Sequence, residues 1–368
     1  MPAGAAAAAL DALLAPLVVL GRRLEAILEE APDWLDAPAR ARVEGAVASL
    51  AWRRETVSAW LSLLGRLGGP AQPEFVDWLS VERGDGREYD VGLHRRWLDP
   101  TRPLAEVVLK PAHGVVVTSA TLSPDGDADI AEARSGARHL EQPARHFAAP
   151  SPFDYGTRAQ VLIVTDVRRG DLSALAGAYA TLIAASGGGT LGLFTAIRRL
   201  RAVHARIADR LARDALPLLA QHVDPIDTGT LVDIFRDDPR ASLLGTDALR
   251  DGVDVPGHSL RTVVLEGVPW PKPTVLNAAR RAAAGGGDES GIRARLAQAF
   301  GRLIRRADDR GSFVILSAAM PSRLLDAFPP GTPVARVTLA EAAARVAAWT
   351  PAPERVSQGE ALRQGGLA

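Results

Sequence analysis

Apolar residues recur at helical spacing from about Leu10 to Leu67, first as Leu10, Leu13, Leu14 and Leu17, then as Leu24, Ile27 and Leu28. A second helical stretch follows Asp36-Ala37-Pro38, a cap and start signal, and Gly68-Gly69-Pro70 ends it. From Glu74 the pattern shortens to extended pieces, Phe75 to Val81, Tyr89 to Leu93 and Gly114-Val115-Val116-Val117-Thr118, which predict parts of a sheet. The Pro-containing stretch Ala149-Pro150-Ser151-Pro152-Phe153 marks a boundary. Beyond it, apolar runs of strand length alternate with helical stretches. The predicted strands are Val161 to Val164, Thr190 to Phe194, Leu216 to Ala220, Ser242 to Gly245, Thr262 to Leu265 and Phe313 to Leu316. Between them fit helices at about Leu172 to Ala185, Ile197 to Arg213, Leu231 to Phe235 and Ile292 to Ala307. Such alternation predicts an α/β fold, a parallel sheet flanked by helices, with functional residues at the carboxyl ends of the strands.

Composition narrows the class. The 368 residues, 47% hydrophobic and 23% charged, are enough for two or three domains with substantial cores and lie outside the disordered range. The 43 basic and 43 acidic residues cancel, so any contact with a polyanion must be local. Only Lys110 and Lys272 are lysines, an arginine bias that a GC-rich coding sequence explains. The absence of cysteine excludes disulfides, thiolate zinc sites and an iron–sulfur cluster held by this chain, and the seven histidines have no metal-ligand spacing. Asp11 and Pro16 interrupt the apolar N-terminal stretch, which predicts a cytoplasmic protein without a membrane partner.

Candidate chemistry gathers where strands are expected to end. Ser119, Ala120 and Thr121 follow the valine run, where hydroxyls either meet phosphate oxygens or act as local caps. Thr195 and Arg198 follow the Thr190 to Phe194 run and open a helix, a natural phosphate site and equally an ordinary helix start. Thr246 follows the next run, then Asp251, Gly252 and Asp254, placed to bond a ribose or a metal-bound water, or to form a polar turn. Gln298, Gly301, Arg302 and Arg305 fall in a predicted helix, where Gln298, Arg302 and Arg305 share one face. Two guanidinium forks aimed together suit the charge spread over a phosphoryl transition state, and a solvated basic helix end would use the same residues.

In this order, Val117-Thr118-Ser119-Ala120-Thr121-Leu122, Ser151-Pro152-Phe153-Asp154, Leu193-Phe194-Thr195, Asp251-Gly252-Val253-Asp254-Val255-Pro256-Gly257 and Gly301-Arg302-Leu303-Ile304-Arg305 resemble the superfamily 2 helicases, in particular the DinG-like, XPD-related branch. The resemblance covers roughly residues 71 to 350. It implies an ATP-dependent DNA helicase engaged in DNA repair, with a second RecA-like motor domain at 151–350. A C-terminal part of the first motor domain would occupy 71–150, a helical arch segment 1–70 and a flexible tail 351–368. It further implies that Arg305, Arg302 and Gln298 serve catalysis, Arg305 as the arginine finger, while Asp251, Gly252, Asp254 and Gly301 face the nucleotide. Ser119, Ala120 and Thr121 would couple nucleotide state to DNA, and Thr195, Arg198 and Thr246 would touch the single strand. The implied cofactors are ATP and Mg2+, and the implied substrates are single-stranded DNA or a forked duplex, traversed 5′ to 3′. Leu249-Arg250 stands where the family often has an aromatic pair, and Ser317 where it often has an acid.

Neither lysine lies in a Gly-Lys-Ser/Thr phosphate loop and there is no Asp-Glu-Ala-His, so the metal and phosphates would be held mainly by an N-terminal helicase half, in cis or as a separate chain. The expectation is a chain that begins inside the arch and is inactive alone. A nicotinamide dehydrogenase is a poor alternative, because Gly187-Gly188-Gly189 precedes a strand rather than following one and Gly285-Gly286-Gly287 falls in a loop before a helix. The competing expectation is a non-catalytic module that binds single strands or docks on another subunit.

Overall fold

The computed structural model describes residues 3–66, 69–84, 86–123, 126–168, 170–246, 249, 255, 257–284 and 289–349. The chain divides into two compact units, residues 1–100 with 273–286, and residues 101–272 with 287–368.

In the first unit, helix α1 (Ala3–Glu30) pairs with α2 (Ala37–Gly65). The Asp36 side chain caps α2 by accepting the Ala39 N–H at 2.8 Å, as the sequence signal required. Pro16 lies inside α1, so neither it nor Asp11 interrupts the helix. By length and composition α1 could cross a bilayer, and it alone among the described helices could do so. An antiparallel hairpin follows, β1 (Phe75–Gly84) with β2 (Arg87–Trp97), in a register that opposes Phe75 to Trp97 and stacks Trp78 on His94.

The second unit starts with a short helix α3 (Thr101–Leu104) that continues as a wider helical turn, Ala105–Leu109. After it, Gly114 to Thr118 form no strand. Val116 is 91% exposed, with Val115 and Val117 about half exposed. A valine run becomes a strand only when neighbouring strands take its N–H and C=O groups, and none does so here. Then come α4 (Ala128–Ser135), α5 (Tyr155–Arg158) and β3 (Ala159–Val164). The chain goes on through α6 (Leu172–Ala185), β4 (Thr190–Phe194), α7 (Ile197–Arg213), β5 (Leu218–Ala220), α8 (Thr228–Asp237), β6 (Ser242–Thr246) and β7 (Thr262–Leu265).

Helix α9 (Val275–Ala283) belongs to the first unit, where the Arg280 guanidinium donates to the carbonyls of Trp97 and Leu98. Helix α10 (Ser290–Phe300), β8 (Gly311–Leu316), β9 (Val334–Val337) and α11 (Leu339–Trp349) complete the second unit. Strand β9 and helices α3, α4, α5, α9 and α11 were not anticipated.

Seven strands form one all-parallel sheet in the order β5-β6-β4-β7-β8-β3-β9. Helices cover both faces, so successive residues of one strand enter different cores. Val161 and Ile163 join Leu193, Leu243, Val263, Phe300 and Phe313 on one side, whereas Leu162 and Val164 join Tyr179, Phe194, Leu200, Leu244 and Val314 on the other. Continuous apolar runs are the signature of strands buried in this way.

Gly187, Gly188 and Gly189 all have positive φ, at 65°, 89° and 60°. They turn the chain around the buried Arg261 guanidinium, which donates to the carbonyls of Ser186, Gly187, Pro239 and His258. A Cβ on Gly189 would lie 2.7 Å from that guanidinium carbon. Burial lowers the Arg261 pKa to about 10, so the cation persists at neutral pH and is stabilised by the carbonyl dipoles at the end of α6.

Candidate functional site

Strands β6, β4 and β7 are neighbours, so their carboxyl ends place Thr246, Thr195 and Glu266 along one edge. Thr246 gives its hydroxyl and its N–H to the Gln221 side-chain oxygen at 3.0 and 3.1 Å. Gln221 is buried and in turn donates to the Thr228 hydroxyl at the first turn of α8. Thr195 gives both of its donors to one carboxylate oxygen of Glu266, the N–H at 2.8 Å and the hydroxyl at closer range. The other oxygen accepts from Arg199 Nε at 2.6 Å, and Glu266 is 5% exposed.

The neighbour of the expected arginine is therefore the one engaged. Arg198, one helix position away, is exposed at the start of α7, whose N-cap Ala196 has no side chain to satisfy the first amides. Beneath this edge, Tyr179 stacks on Phe194 and donates to the carbonyl of Val264 at 3.3 Å. Burial, and secondarily the Glu266 charge, push its phenol well above the usual value.

The run from Gln298 to Arg305 departs from expectation. Helix α10 ends at Phe300, and Gly301 to Leu303 form a turn, so Gln298, Arg302 and Arg305 do not share a helix face. Leu303 and Ile304 are buried in the sheet core, which draws the chain off the helical path. Asp309 holds the new path. One of its carboxylate oxygens accepts the N–H groups of Arg305 and Arg306 at 2.8 and 2.7 Å, and the other accepts the N–H of Gly257 at 3.0 Å. Asp309 is 6% exposed, whereas the Arg305 side chain is exposed and Arg302 half-buried. One buried carboxylate thus joins the end of the Asp251 to Gly257 segment to the arginine turn. Asp251, Gly252 and Asp254 themselves lie outside the described residues.

Ser119 and Ala120 are exposed and Thr121 is half-buried, with the Ser119 hydroxyl accepting the Thr121 N–H at 3.2 Å. Arg134 bridges it to α10, one nitrogen donating to the Thr121 carbonyl at 2.5 Å and another to the Ser290 carbonyl at 2.8 Å. The far end of α10 is fixed by aromatic packing of Phe300 against Tyr155, Phe313 and Phe328. Tyr155 is held by the preceding motif through the Ser151 hydroxyl at 3.0 Å.

Glu266, Arg199, Gln221, Arg134 and Asp309 were all missed in the sequence. Each acts on a residue distant in the chain, except that Arg199 stands beside a position already singled out. A cavity of about 810 Å³ in the first unit, lined by Trp60, Arg66, His94 and Arg95 among others, contains none of these residues. Among the described residues no group of three His, Asp or Glu side chains could hold a metal ion.

Comparison with known proteins finds helicase relatives. The model of the helicase C-terminal domain family matches residues 179–325. The ATP-dependent helicase DinG of Mycobacterium tuberculosis is 36% identical over 266 residues, 68% of this chain and 39% of the relative. The 3′-5′ exonuclease DinG of Bacillus subtilis is 29% identical over 291 residues, 73% of this chain and 31% of the relative. A solved XPD helicase structure superposes at a TM-score of 0.36 and 16% identity, over 49% of this chain and 35% of that one. The chain therefore spans about two fifths or less of the length of these curated relatives. It belongs to the DinG-like branch of the superfamily 2 helicases and carries that family's C-terminal helicase domain, a RecA-like parallel sheet flanked by helices.

Proposed function

We propose that this chain is the C-terminal motor part of an ATP-dependent DNA helicase, which couples ATP hydrolysis to 5′ to 3′ movement on single-stranded DNA and to unwinding of a forked duplex in cytoplasmic DNA repair. The observation that carries the proposal is the Asp309 carboxylate, which ties the arginine turn to Gly257 at the end of the predicted nucleotide segment. Arg305 acts as the finger on the γ-phosphate from that turn, supported by Arg302 and Gln298, while Asp251, Gly252, Asp254 and Gly301 border the nucleotide. Ser119 to Thr121 convey nucleotide state through Arg134 to α10, and Thr195, Arg198 and Thr246 lie along the DNA backbone.

The described residues suit the outer side of a triphosphate, because they offer guanidiniums. Mg2+ and the phosphate cradle belong to a P-loop-bearing half, supplied in cis or by a second polypeptide. When bound, Mg2+ neutralises charge developing between the β- and γ-phosphates. Arginine fingers contribute about three to five orders of magnitude in turnover.

A second role, as a docking or strand-binding module without turnover, is favoured by the exposed Val115 to Val117 run, which is poised to meet another polypeptide. One experiment separates the two. The pure chain is expected to show no DNA-stimulated ATPase, and addition of a polypeptide with the family's P-loop half to restore it. Arg305→Ala should then lower the restored rate by at least about a hundredfold. Binding without restored turnover would support the module, and turnover by the chain alone would overturn the motor proposal as stated.

A further inference from the structure

Glu266 sits among the groups assigned to the DNA backbone but carries the wrong charge for that task. Phosphate oxygens only accept hydrogen bonds, so a backbone contact at Thr195 requires a free N–H or hydroxyl donor. Both are committed to Glu266, and the nearest engaged guanidinium, Arg199, is held by the same carboxylate. The arrangement matches what a phosphate would receive at this strand end, namely two donors from Thr195 and one from an arginine, with the carboxylate in the anion's place. Glu266 reaches it from the adjacent strand, and Tyr179 and Leu193 close the floor below.

Resting on the assignment of this edge to DNA, we propose that Glu266 is an internal anion that withholds Thr195 and Arg199 from the nucleic-acid backbone, so that strand binding at β4 proceeds by exchange of carboxylate for phosphate. Exchange is favourable only when phosphate is presented alongside further contacts, such as Arg198. Isolated anions compete poorly with a carboxylate tethered in place. Glu266 thereby selects for a continuous strand over free phosphate or single nucleotides.

The test uses the whole chain and fluorescent oligothymidylate over a range of salt concentrations. Glu266→Gln keeps the shape and one acceptor but removes the charge. It should tighten binding by about fivefold or more, with a salt dependence steeper by about 0.7, the value of one added phosphate contact on a single strand. Adding Thr195→Val to Glu266→Gln should reverse much of that gain, which a general change in surface charge would not do. Unchanged or weaker binding by the Gln variant, with wild type binding normally, overturns the exchange and leaves the DNA assignment standing. Failure of both proteins to bind overturns the DNA assignment and the exchange with it. A structure of the wild-type chain with bound oligothymidylate decides the point without substitution. Phosphate at the Thr195 N–H with Glu266 turned away supports exchange, and an intact Glu266–Thr195 contact refutes it.

Discussion

Asp309 shows how much one side chain can organise at the residue scale. Its carboxylate accepts three backbone N–H groups from segments about fifty positions apart, and little of it is open to water. An unsatisfied buried donor costs about 1–3 kcal/mol, and water can reach part of an emptied site. Asp309→Ala is therefore expected to lower stability by about 2–4 kcal/mol, with Asp309→Asn between it and wild type because an amide oxygen still accepts. Denaturant unfolding measures the first quantity. Amide exchange should show faster loss at Gly257, Arg305 and Arg306 than in β3 and β8, and uniform acceleration throughout the sheet would refute a local clasp. None of this is visible in the sequence around Arg306, where Asp308 and Asp309 look alike. Only the fold shows which of the two turns inward to meet Gly257.

Elements divide by whether their stability is local. Every strand of the large sheet except β9 was legible as an apolar run, because burial on both faces imposes continuity whatever the neighbours are. Helices α6 and α7 were legible to the residue. The Gly114 to Thr118 strand and the end of α10 were not, for a common reason. A strand needs partners to take its hydrogen bonds, and a helix stops where tertiary burial outweighs its own ladder, as burial of Leu303 and Ile304 does after Phe300. Candidate site residues followed the same rule. Positions at strand ends were found, but their partners across the sheet were not.

Caps are local and give a prediction of their own. Asp171 accepts the Ala174 and Ser173 N–H groups at the start of α6, and Asp227 accepts the Thr230 hydroxyl and N–H at the start of α8. These bonds lower both carboxyl pKa values. A carboxylate depressed in the folded state stabilises above its unfolded value, near about 3.9, and that stability is lost as pH falls through the lower folded value. Thermal stability of wild type should therefore fall as pH drops from about 5 toward 2, and more steeply than in an Asp171→Ala, Asp227→Ala double variant. Parallel pH profiles for the two proteins would remove these caps from the account.

For the whole molecule, the telling feature is apolar surface that the chain leaves uncovered beside its best candidate chemistry. Val115, Val116 and Val117 immediately precede Ser119 to Thr121, and Phe147, 94% exposed, follows in the same unit. Val116, almost fully in water, forgoes about 1.5–3 kcal/mol that burial would return, and the half-exposed Val115 and Val117 forgo correspondingly less. The backbone groups of this run are suited to strand pairing. If the proposed P-loop half adds its sheet to this run, Ser119 and Thr121 become residues at the end of a paired strand, fixed beside the nucleotide and linked through Arg134 to α10. Assembly would then create the coupling element as well as join two domains. Addition of the P-loop polypeptide should slow amide exchange at Val115 to Val117 before other sites respond. Val116→Asp should weaken association by at least about tenfold, since a buried unpaired carboxylate opposes it, while the melting temperature of the chain alone stays unchanged because residue 116 is already solvated. Undiminished association of Val116→Asp would place the docking surface elsewhere and leave Ser119 to Thr121 without a route to the nucleotide.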